Sequence, residues 1–308
     1  MNSPRLIVSV PGQTLRKALG SVPDGVDVIE WKMTGAAPTE KIDIVVPPYM
    51  DQVSSLGLLA NVETRLVQSQ SIGYDGVEEA LPAGHVFANA ATVHETSTAE
   101  LTLGLILASQ RGIPGFVRAA DEGRWAPVRC ASLADRTVLL VGYGGVGHAV
   151  EERLLPFECE IVRVARTARA DARGPIHSIE DLPDLLPKAD IVVVGVPLDE
   201  TTAHLVDDAF LSRMSDGSLL VNIARGPVAD TAAILAHATS GRLRFALDVT
   251  DPEPLPDGHP LFALHNVLIS PHVGGASSAM MPRMARLLRR QIERMLAGDE
   301  PENVVVRT

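Results

Sequence analysis

Four charged side chains follow three apolar runs in the last third of the sequence. Arg225 follows "SLLVNIA", Asp248 and Glu253 follow "RFAL", and His272 follows "VLISP". An arginine clamps a carboxylate through two hydrogen bonds. A histidine exchanges protons near neutral pH, where a neighbouring carboxylate favours its charged form. These residue types suit a site that interconverts a hydroxyl and a carbonyl group on a substrate that carries a carboxylate.

Each of these residues also has a simpler interpretation. His272 could be a hydrogen-bonded core residue, Asp248 a helix cap, and "DPEP" an ordinary acidic turn. Arg225 could be a surface residue, because lysine occurs at only four positions and arginine is the usual basic residue of this chain. Ligands of open α/β sheets bind beyond the carboxyl ends of the strands. The joint occurrence of the four residues at successive strand ends therefore favours a hydride-transfer site.

A glycine-rich turn, "GYGGVG", joins the apolar run "TVLLV" to a helical pattern. Gly142, Gly144 and Gly147 have the spacing G-x-G-x-x-G. The first glycine allows a tight turn, the second lets the backbone approach a pyrophosphate, and the third allows close packing of helix on strand. The phosphates would lie at the helix N-terminus. A turn without a ligand is the alternative, but the strand–turn–helix context favours a dinucleotide site.

The end of the next apolar run, "EIVRVA", predicts which dinucleotide binds. A carboxylate about 20 residues after the turn accepts hydrogen bonds from the ribose of NAD, whereas an arginine accommodates the 2′-phosphate of NADP. The chain has Arg166, Thr167 and Arg169 there and no carboxylate at the end of the run. Arg163, Arg166 and Arg169 cannot all face one pocket, so we assign the role chiefly to Arg166. NADP(H) is the predicted cofactor, with NAD(H) possible, unless these arginines are solvated surface residues.

Strand patterns that alternate with helical patterns would position these residues. The strand patterns are "RLIVSV", "DVIEW", "IDIVVPP", "RLVQSQS", "HVFANA", "TVLLVG", "EIVRVA", "IVVVGVP", "SLLVNIA", "RFALDV" and "VLISP". This alternation predicts βαβ units and parallel sheets covered on both faces. We interpret the chain as α/β with two doubly wound domains. A Rossmann dinucleotide-binding domain (96–282) is inserted into a flavodoxin-like substrate-binding domain (1–95, completed by 283–308).

Two helical patterns lie at the domain boundaries. The segment "TSTAELTLGLILASQRGI" predicts a linking helix that is capped by Thr96 or Ser97, has Glu100 near its positive end, and stops at Gly112. The segment "SSAMMPRMARLLRRQIERMLAG" predicts a helix that returns the chain to the first domain before the tail "NVVV".

Composition excludes several classes of function. Lys and Arg number 27 against 38 Asp and Glu, and the net charge of -11 argues against binding to nucleic acid or to acidic membranes. Cys130 and Cys159 are too few for a disulfide framework or a metal site, so we expect a cytoplasmic protein without a metal. Apolar runs such as "LGLILA" fall short of the about 20 residues of a spanning helix, and the N-terminal segment lacks the apolar core of a signal peptide.

With these motifs in order, the chain resembles the D-2-hydroxyacid dehydrogenases. The matching segments are "LLVGYGGVG", "VPLDETTAHLV", "LLVNIARGPVAD", "ALDVTDPEPLP" and "LISPHVGGAS", with "SQSIGYDGV" and "TSTAE" in the first domain. The resemblance covers most of the chain and implies reduction of a small 2-oxo acid to the D-2-hydroxy acid. The missing ribose carboxylate resembles the pattern of the NADP-dependent glyoxylate and hydroxypyruvate reductases.

The resemblance implies a role for each matching residue. His272 would be the acid/base and Glu253 its partner, while Arg225 would bind the substrate carboxylate and Asp248 would orient the nicotinamide carboxamide. The predicted substrate-binding residues are Ser71, Ile72, Gly73 and Arg225. The predicted cofactor-binding residues are Gly142, Gly144, Gly145, Val146, Gly147, Arg166, Thr167, Arg169, Val196, Pro197, Thr202, Ile223, Ala224, Asp248 and Gly274.

The resemblance leaves two other functions open and implies an assembly. One is a dinucleotide-binding scaffold of the corepressor type, and the other is a formate dehydrogenase, although that family has glutamine where this chain has Glu253. Asp199 replaces the family's usual threonine, which puts an adenine-side contact in doubt, while Thr202 keeps its position. Tyr49 and Met50 are expected to line the substrate site, unless Met50 is a core residue. The resemblance also implies a homodimer formed through the linking helix and "GIPGFVRAADEGRW".

Overall fold

The computed structural model describes residues 5–50 and 52–308 of the chain. The protein consists of two compact units. The first unit comprises the chain up to His94 together with Ser277–Thr308, and the second comprises Glu95–Ala276. Residues 277–282 group with the first unit because Met280 packs in the core of that unit.

The first unit contains a six-stranded sheet. Its strands are β1 (Leu6–Val10), β2 (Val26–Glu30), β3 (Ile44–Val45), β4 (Leu66–Gln68), β5 (Val86–Ala88) and β14 (Val304–Arg307). Their order is β14-β5-β4-β3-β1-β2, and the order 2-1-3-4-5 of the parallel strands is that of flavodoxin-like folds. The five strands predicted before residue 91 are confirmed. The tail strand β14 runs antiparallel to β5, so the sheet is only mostly parallel.

The helices of the first unit cover both faces of this sheet. They are α1 (Gln13–Leu19), α2 (Gln52–Ser55), α3 (Val77–Ala80) and α10 (Met280–Ala297). The long helix α10 forms because apolar residues recur at helical spacing, and Met284, Leu287, Leu288 and Ile292 are buried on one side. Trp31 is buried in a second cluster on the other face.

The second unit contains an eight-stranded sheet. Its strands are β6 (Thr137–Val141), β7 (Glu160–Ala165), β8 (Arg169–Asp171), β9 (Gly174–Ser178), β10 (Ile191–Val194), β11 (Leu219–Asn222), β12 (Arg244–Leu247) and β13 (Val267–Ile269). The order β13-β12-β11-β10-β6-β7-β9-β8 contains the Rossmann order, which reverses between β6 and β10. All strands predicted here are confirmed. The antiparallel pair β8–β9 was not predicted, because β8 is fully exposed and lacks apolar alternation.

The helices of the second unit are α4 (Glu95–Gln110), α5 (Ile113–Asp121), α6 (Gly145–Leu154), α7 (Leu182–Leu185), α8 (Asp208–Arg213) and α9 (Thr231–Thr239). The predicted cap of α4 is wrong: the helix already begins at Glu95, so Thr96 and Ser97 lie in its first turn. Gly112 follows the helix with a left-handed φ of 66°, as expected of a helix stop. In the described part of the chain, no helix combines the length and apolarity that crossing a membrane requires.

Candidate active site

The glycine turn after β6 combines close packing with an open position. A side chain at Gly142, whose φ is 102°, would place its Cβ 2.6 Å from the carbonyl carbon of Gly195, and one at Gly147 would overlap the carbonyl oxygen of Gly142. These two glycines are therefore required by the packing of the turn. A Cβ at Gly144 would instead meet no protein atom within 4 Å. The middle glycine thus leaves accessible space directly before α6.

That open space suits the pyrophosphate of a dinucleotide. Gly144 precedes the first helical residue of α6, and both Gly144 and Gly145 are exposed. The first amides of a helix have no partner within the helix and carry its positive end, so they bind phosphate oxygens. The amides of Gly145 and Val146 are in this position. The turn therefore fits the predicted cofactor.

The arginines at the end of β7 have different surroundings. Arg163 is buried, and its side chain bonds both carboxylate oxygens of Asp171 at 3.0 and 3.1 Å. Arg169 donates to the carbonyl oxygen of Tyr143 in the glycine turn at 3.0 Å. Arg166 is 68% exposed by side chain and forms an ion pair with Asp199, and Thr167 beside it is exposed. Of the three arginines, only Arg163 is removed from solvent.

Arg163 belongs to what we call the buried charge cluster, in which Tyr143, Glu151 and Arg163 are buried and Asp171 and Arg173 reach solvent. The Tyr143 hydroxyl donates to Glu151, and the Arg163 guanidinium lies 5.2 Å from the Tyr143 ring centroid. Burial, followed by the hydrogen bond to Glu151, raises the pKa of Tyr143. The cluster fastens β8–β9 to α6. The cluster was not predicted, because no local sequence pattern links its members.

In the loop after β10, the predicted cofactor-binding residue Thr202 forms hydrogen bonds within the loop itself. Val196 is buried and Pro197 is exposed. The Thr202 hydroxyl donates to the Pro197 carbonyl at 2.7 Å and accepts from the Asp199 amide at 2.8 Å. A hydrogen bond from Thr201 is the largest cause of the lowered pKa of Asp199. Thr202 therefore orders the loop, and its predicted contact with a cofactor stays a prediction.

Arg225 lies at the junction of two strand ends. It follows β11 in an extended conformation, and its Nη1 donates to the Ala224 carbonyl at 2.8 Å. A Cβ at Gly226 would overlap the carbonyl oxygen of Thr250, so only glycine lets the loops after β11 and β12 approach each other. Ile223 and Ala224 complete the β11 end, half-buried and buried respectively. The local backbone thus places Arg225 beside the loop that carries the predicted carboxylates.

His272 and Glu253 meet at the ends of β13 and β12. The Nδ1 atom of His272 lies 2.5 Å from Oε1 of Glu253, and the two side chains are 25% and 37% exposed. Because an ionised carboxylate only accepts, Nδ1 is the donor and Nε2 remains for exchange with a substrate. His272 has a left-handed φ of 52°, which non-glycine residues adopt rarely and often at functional sites. The predicted pair is therefore in direct contact.

Asp248 shapes the loop that carries His272. Its carboxylate is buried and accepts from the Ser270 hydroxyl at 2.7 Å and from the Val273 and Gly274 amides at 2.9 Å each. Its backbone carbonyl accepts from the His272 amide at 2.7 Å. Asp248 is therefore a positioning residue in this structure. Its contact with a nicotinamide stays a prediction.

The predicted substrate loop of the first unit is held by hydrogen bonds after β4. The Ser71 amide donates to Ser69 Oγ at 2.8 Å, and the Ile72 carbonyl accepts from the Asn89 side chain at 2.9 Å. Ile72 and Gly73 are half-buried. The loop therefore presents these two residues from a fixed backbone.

The predicted wall residues of the first unit differ in environment. The Tyr49 ring stacks on buried His94 with centroids 5.7 Å apart, and the His94 Nε2 lies 2.6 Å from the Gln70 carbonyl oxygen. Met50 is 55% exposed, so the alternative that it is a core residue is wrong. Tyr49 is thus fixed in place by its neighbour.

Comparison with known families identifies the family of this chain. Residues 103–274 match the model of the "D-isomer specific 2-hydroxyacid dehydrogenase, NAD binding domain", which is more than half of the chain. The chain belongs to this family. The resemblance inferred from the sequence is therefore confirmed, and the glycine turn, Arg225, Glu253 and His272 all lie within the matched residues.

Relatives of this dehydrogenase include a glyoxylate reductase of Thermofilum pendens, 34% identical over 278 residues that cover 87% of this chain and 79% of the relative. Among solved structures, a D-isomer specific 2-hydroxyacid dehydrogenase from Xanthobacter autotrophicus in complex with NADPH is 28% identical, with a TM-score of 0.82 and coverage of 99% and 98%. An NADPH-dependent glyoxylate/hydroxypyruvate reductase from Sinorhizobium meliloti is 26% identical, with a TM-score of 0.81 and coverage of 99% and 97%. The dehydrogenase described here is an NAD(P)-dependent oxidoreductase of 2-oxo and 2-hydroxy acids.

Proposed function

We propose that this dehydrogenase reduces a small 2-oxo acid of the glyoxylate or hydroxypyruvate type to the D-2-hydroxy acid, with NADPH as hydride donor. The observation that carries the proposal is the contact between His272 Nδ1 and Glu253 Oε1. A hydroxyl–carbonyl couple needs a proton donor beside the hydride acceptor, and a histidine held by a carboxylate meets that need. A formate dehydrogenase has no hydroxyl proton to transfer, and Glu253 therefore favours the 2-oxo acid.

The roles of the residues follow from their chemistry. The amides of Gly145 and Val146 would hold NADPH by its pyrophosphate, and the cofactor would supply the hydride. His272 donates a proton from Nε2 to the carbonyl oxygen, and Glu253 stabilises the imidazolium that precedes this transfer. Arg225 binds the substrate carboxylate with its planar guanidinium and polarises the carbonyl. Ile72 and Gly73, in the unit that we propose as the substrate-binding domain, are proposed to supply backbone amides to the substrate.

The preference for NADP(H) rests on the end of β7. Arg166 is exposed there, and the carboxylate nearest in sequence beyond it, Asp171, is bonded to Arg163. A guanidinium forms charge-assisted hydrogen bonds with a 2′-phosphate. The NADPH and NADP complexes of the two related structures support the same preference.

We also propose a homodimer that forms through α4 and the segment after it. Apolar side chains are exposed there: Ile113 at 46%, Phe116 at 40%, Val117 at 55% and Trp125 at 96%. Ile113, Phe116 and Val117 have the spacing of one helix face, and exposed apolar patches mark interaction surfaces. Cys130 and Cys159 are both free thiols, and this supports a reducing compartment, for which we propose the cytoplasm.

The function is tested by following oxidation of added NADPH in the presence of single 2-oxo acids. Glyoxylate, hydroxypyruvate, pyruvate and phenylpyruvate form the panel, and NADP⁺ with formate is the control for the alternative chemistry. We expect turnover with glyoxylate or hydroxypyruvate, higher kcat/KM than with the bulky phenylpyruvate, and none with formate. Cofactor binding without turnover on any of these acids would contradict the proposal and favour a scaffold.

A further inference from the structure

The ion pair between Arg166 and Asp199 joins two strand ends of the second unit. Arg166 follows β7, and Asp199 lies five residues beyond the end of β10. These strands lie on either side of β6, which leads into the glycine turn. The strand order reverses between β6 and β10, and dinucleotides bind at such a reversal. The pair therefore lies at the carboxyl ends of the strands, where the cofactor is expected.

Asp199 is fixed by hydrogen bonds to Oδ1, the carboxylate oxygen that does not contact Arg166. Its Oδ1 accepts from the Thr201 amide at 2.9 Å, the Thr201 hydroxyl at 2.6 Å and the Thr202 amide at 3.1 Å. Its Oδ2 accepts from Arg166 Nη2. The hydrogen bond from Thr201 is the largest cause of the lowered pKa of Asp199. A fixed negative charge thus lies against the proposed phosphate-binding arginine.

We propose that Asp199 is a specificity-determining residue that limits the preference for NADP(H) through its negative charge beside Arg166. The inference rests on the proposed function, in which Arg166 binds the 2′-phosphate. A 2′-phosphate must take this guanidinium from Asp199 and must approach a second anion, and like charges at close range repel. A 2′-hydroxyl carries no charge and meets neither obstacle. Asp199 therefore weakens the binding of NADP(H) and affects that of NAD(H) little.

The opposite effect, in which Asp199 strengthens the binding of NADP(H), also has a physical basis. A guanidinium has five donors and can bond a carboxylate and a phosphate together, so Asp199 would then orient Arg166 and strengthen NADP(H) binding. The exposure of Arg166, at 68% of its side chain, argues against that role, because an exposed ion pair orients a long side chain only weakly. The Asp199 carboxylate is itself fixed by Thr201 and Thr202, so its charge still repels a phosphate that binds beside Arg166. The sign of the effect of Asp199 on NADP⁺ affinity separates the two.

The variant Asp199→Asn tests the inference by calorimetric titration of the intact protein with NADP⁺ and with NAD⁺, without substrate. Asparagine keeps the Oδ1 acceptor for Thr201 and Thr202 and removes the charge. We expect NADP⁺ affinity to rise about 3- to 10-fold and NAD⁺ affinity to change less than about 2-fold. The matched control is Asp216→Asn, because Asp216 is also paired with an arginine, Arg242, at 3.2 Å. Asp216 precedes β11 and therefore lies at the amino-terminal ends of the strands. This control should change neither affinity.

Adding Arg166→Ala separates this inference from the proposed function. Arg166→Ala should lower NADP⁺ affinity, and in that background Asp199→Asn should yield a smaller gain. If Arg166→Ala weakens NADP⁺ but Asp199→Asn leaves the ratio of NADP⁺ to NAD⁺ affinity unchanged or lower, the inference about Asp199 is overturned and the proposed cofactor stands. If Arg166→Ala leaves NADP⁺ affinity unchanged, the proposed recognition of the phosphate by Arg166 is overturned together with this inference.

Discussion

The second unit contains two groups of charged side chains that differ in exposure. In the buried charge cluster, the side chains of Arg163 and Glu151 are 3% and 5% exposed, and each is paired. At the strand ends, His272 and Glu253 are 25% and 37% exposed. Removing one member of a buried ion pair leaves the other charge with neither a partner nor water around it. A half-exposed charged group is instead accessible to a ligand. Residue type alone therefore does not separate Arg163 and Glu151 from His272 and Glu253, but side-chain exposure does.

The largest expected effect comes from removing the proton donor at the strand ends. His272→Asn should lower kcat by about 10²- to 10⁴-fold, because the proton must then come from water. Asparagine is chosen because it tolerates the left-handed backbone at this position. Thermal unfolding and NADP⁺ titration serve as controls and should stay near their parent values. A folded variant with parent turnover would show that His272 is not the acid.

Breaking the buried charge cluster should instead reduce stability. Arg163→Met removes the arginine that pairs with Asp171 and one of the two arginines that pair with Glu151, which keeps Arg173. The free energy of unfolding in urea should therefore fall by about 1 to 3 kcal/mol. The exposed Arg213→Met is the matched control, with an expected change within about 0.5 kcal/mol. Equal stability of the two variants would remove the distinction between buried and exposed charges on which the comparison depends.

Substitution of Arg225 tests whether this half-buried residue at a strand end contributes to substrate binding and not to cofactor binding. Arg225→Ala should raise KM for the 2-oxo acid about 10- to 100-fold, the loss expected for one charge-assisted hydrogen bond. NADP⁺ affinity should change little. Arg225→Lys keeps the charge but loses the planar fork, so it should recover only part of the loss. Equal weakening of substrate and cofactor would identify Arg225 as a structural residue.

The smallest effect is expected from Glu253→Gln. Glutamine keeps an acceptor for Nδ1 of His272 but removes the charge that stabilises the imidazolium, which is the acid in the reductive direction. The kcat for reduction should therefore fall by about 3- to 10-fold, while NADP⁺ affinity should stay near its parent value. Parent turnover in this variant would mean that the 2.5 Å contact does not govern proton transfer.

The sequence predicts the parts of this protein that follow local rules. Buried strands such as β10 and β11 are continuous apolar runs because helices cover both faces of the sheet. The spacing of Gly142, Gly144 and Gly147 predicts the turn, and the strand-end rule predicts that His272 and Glu253 lie close together. These features depend on periodicity or on the topology of a parallel sheet, both of which are visible in one sequence.

Features that depend on specific tertiary contacts could not be predicted. The pair between Arg166 and Asp199 joins residues 33 apart in sequence, and no spacing rule connects them. The antiparallel strand β8 lies at a sheet edge, where exposure removes the apolar pattern that marks the central strands. The start of α4 at Glu95 was missed because Thr96 and Ser97 are good capping residues whose tertiary setting places them inside the helix.

The contrast between Trp31 and Trp125 gives the protein two built-in optical reporters. The chain has two tryptophans, one in each unit; Trp31 is 6% exposed and Trp125 is 96% exposed. Iodide should quench the red-shifted emission of Trp125 and leave the blue-shifted emission of Trp31. Shielding of Trp125 as the protein concentration rises would then report self-association in the second unit, while a red shift of the unquenched component would report unfolding of the first. Both events can be followed in one unlabelled sample.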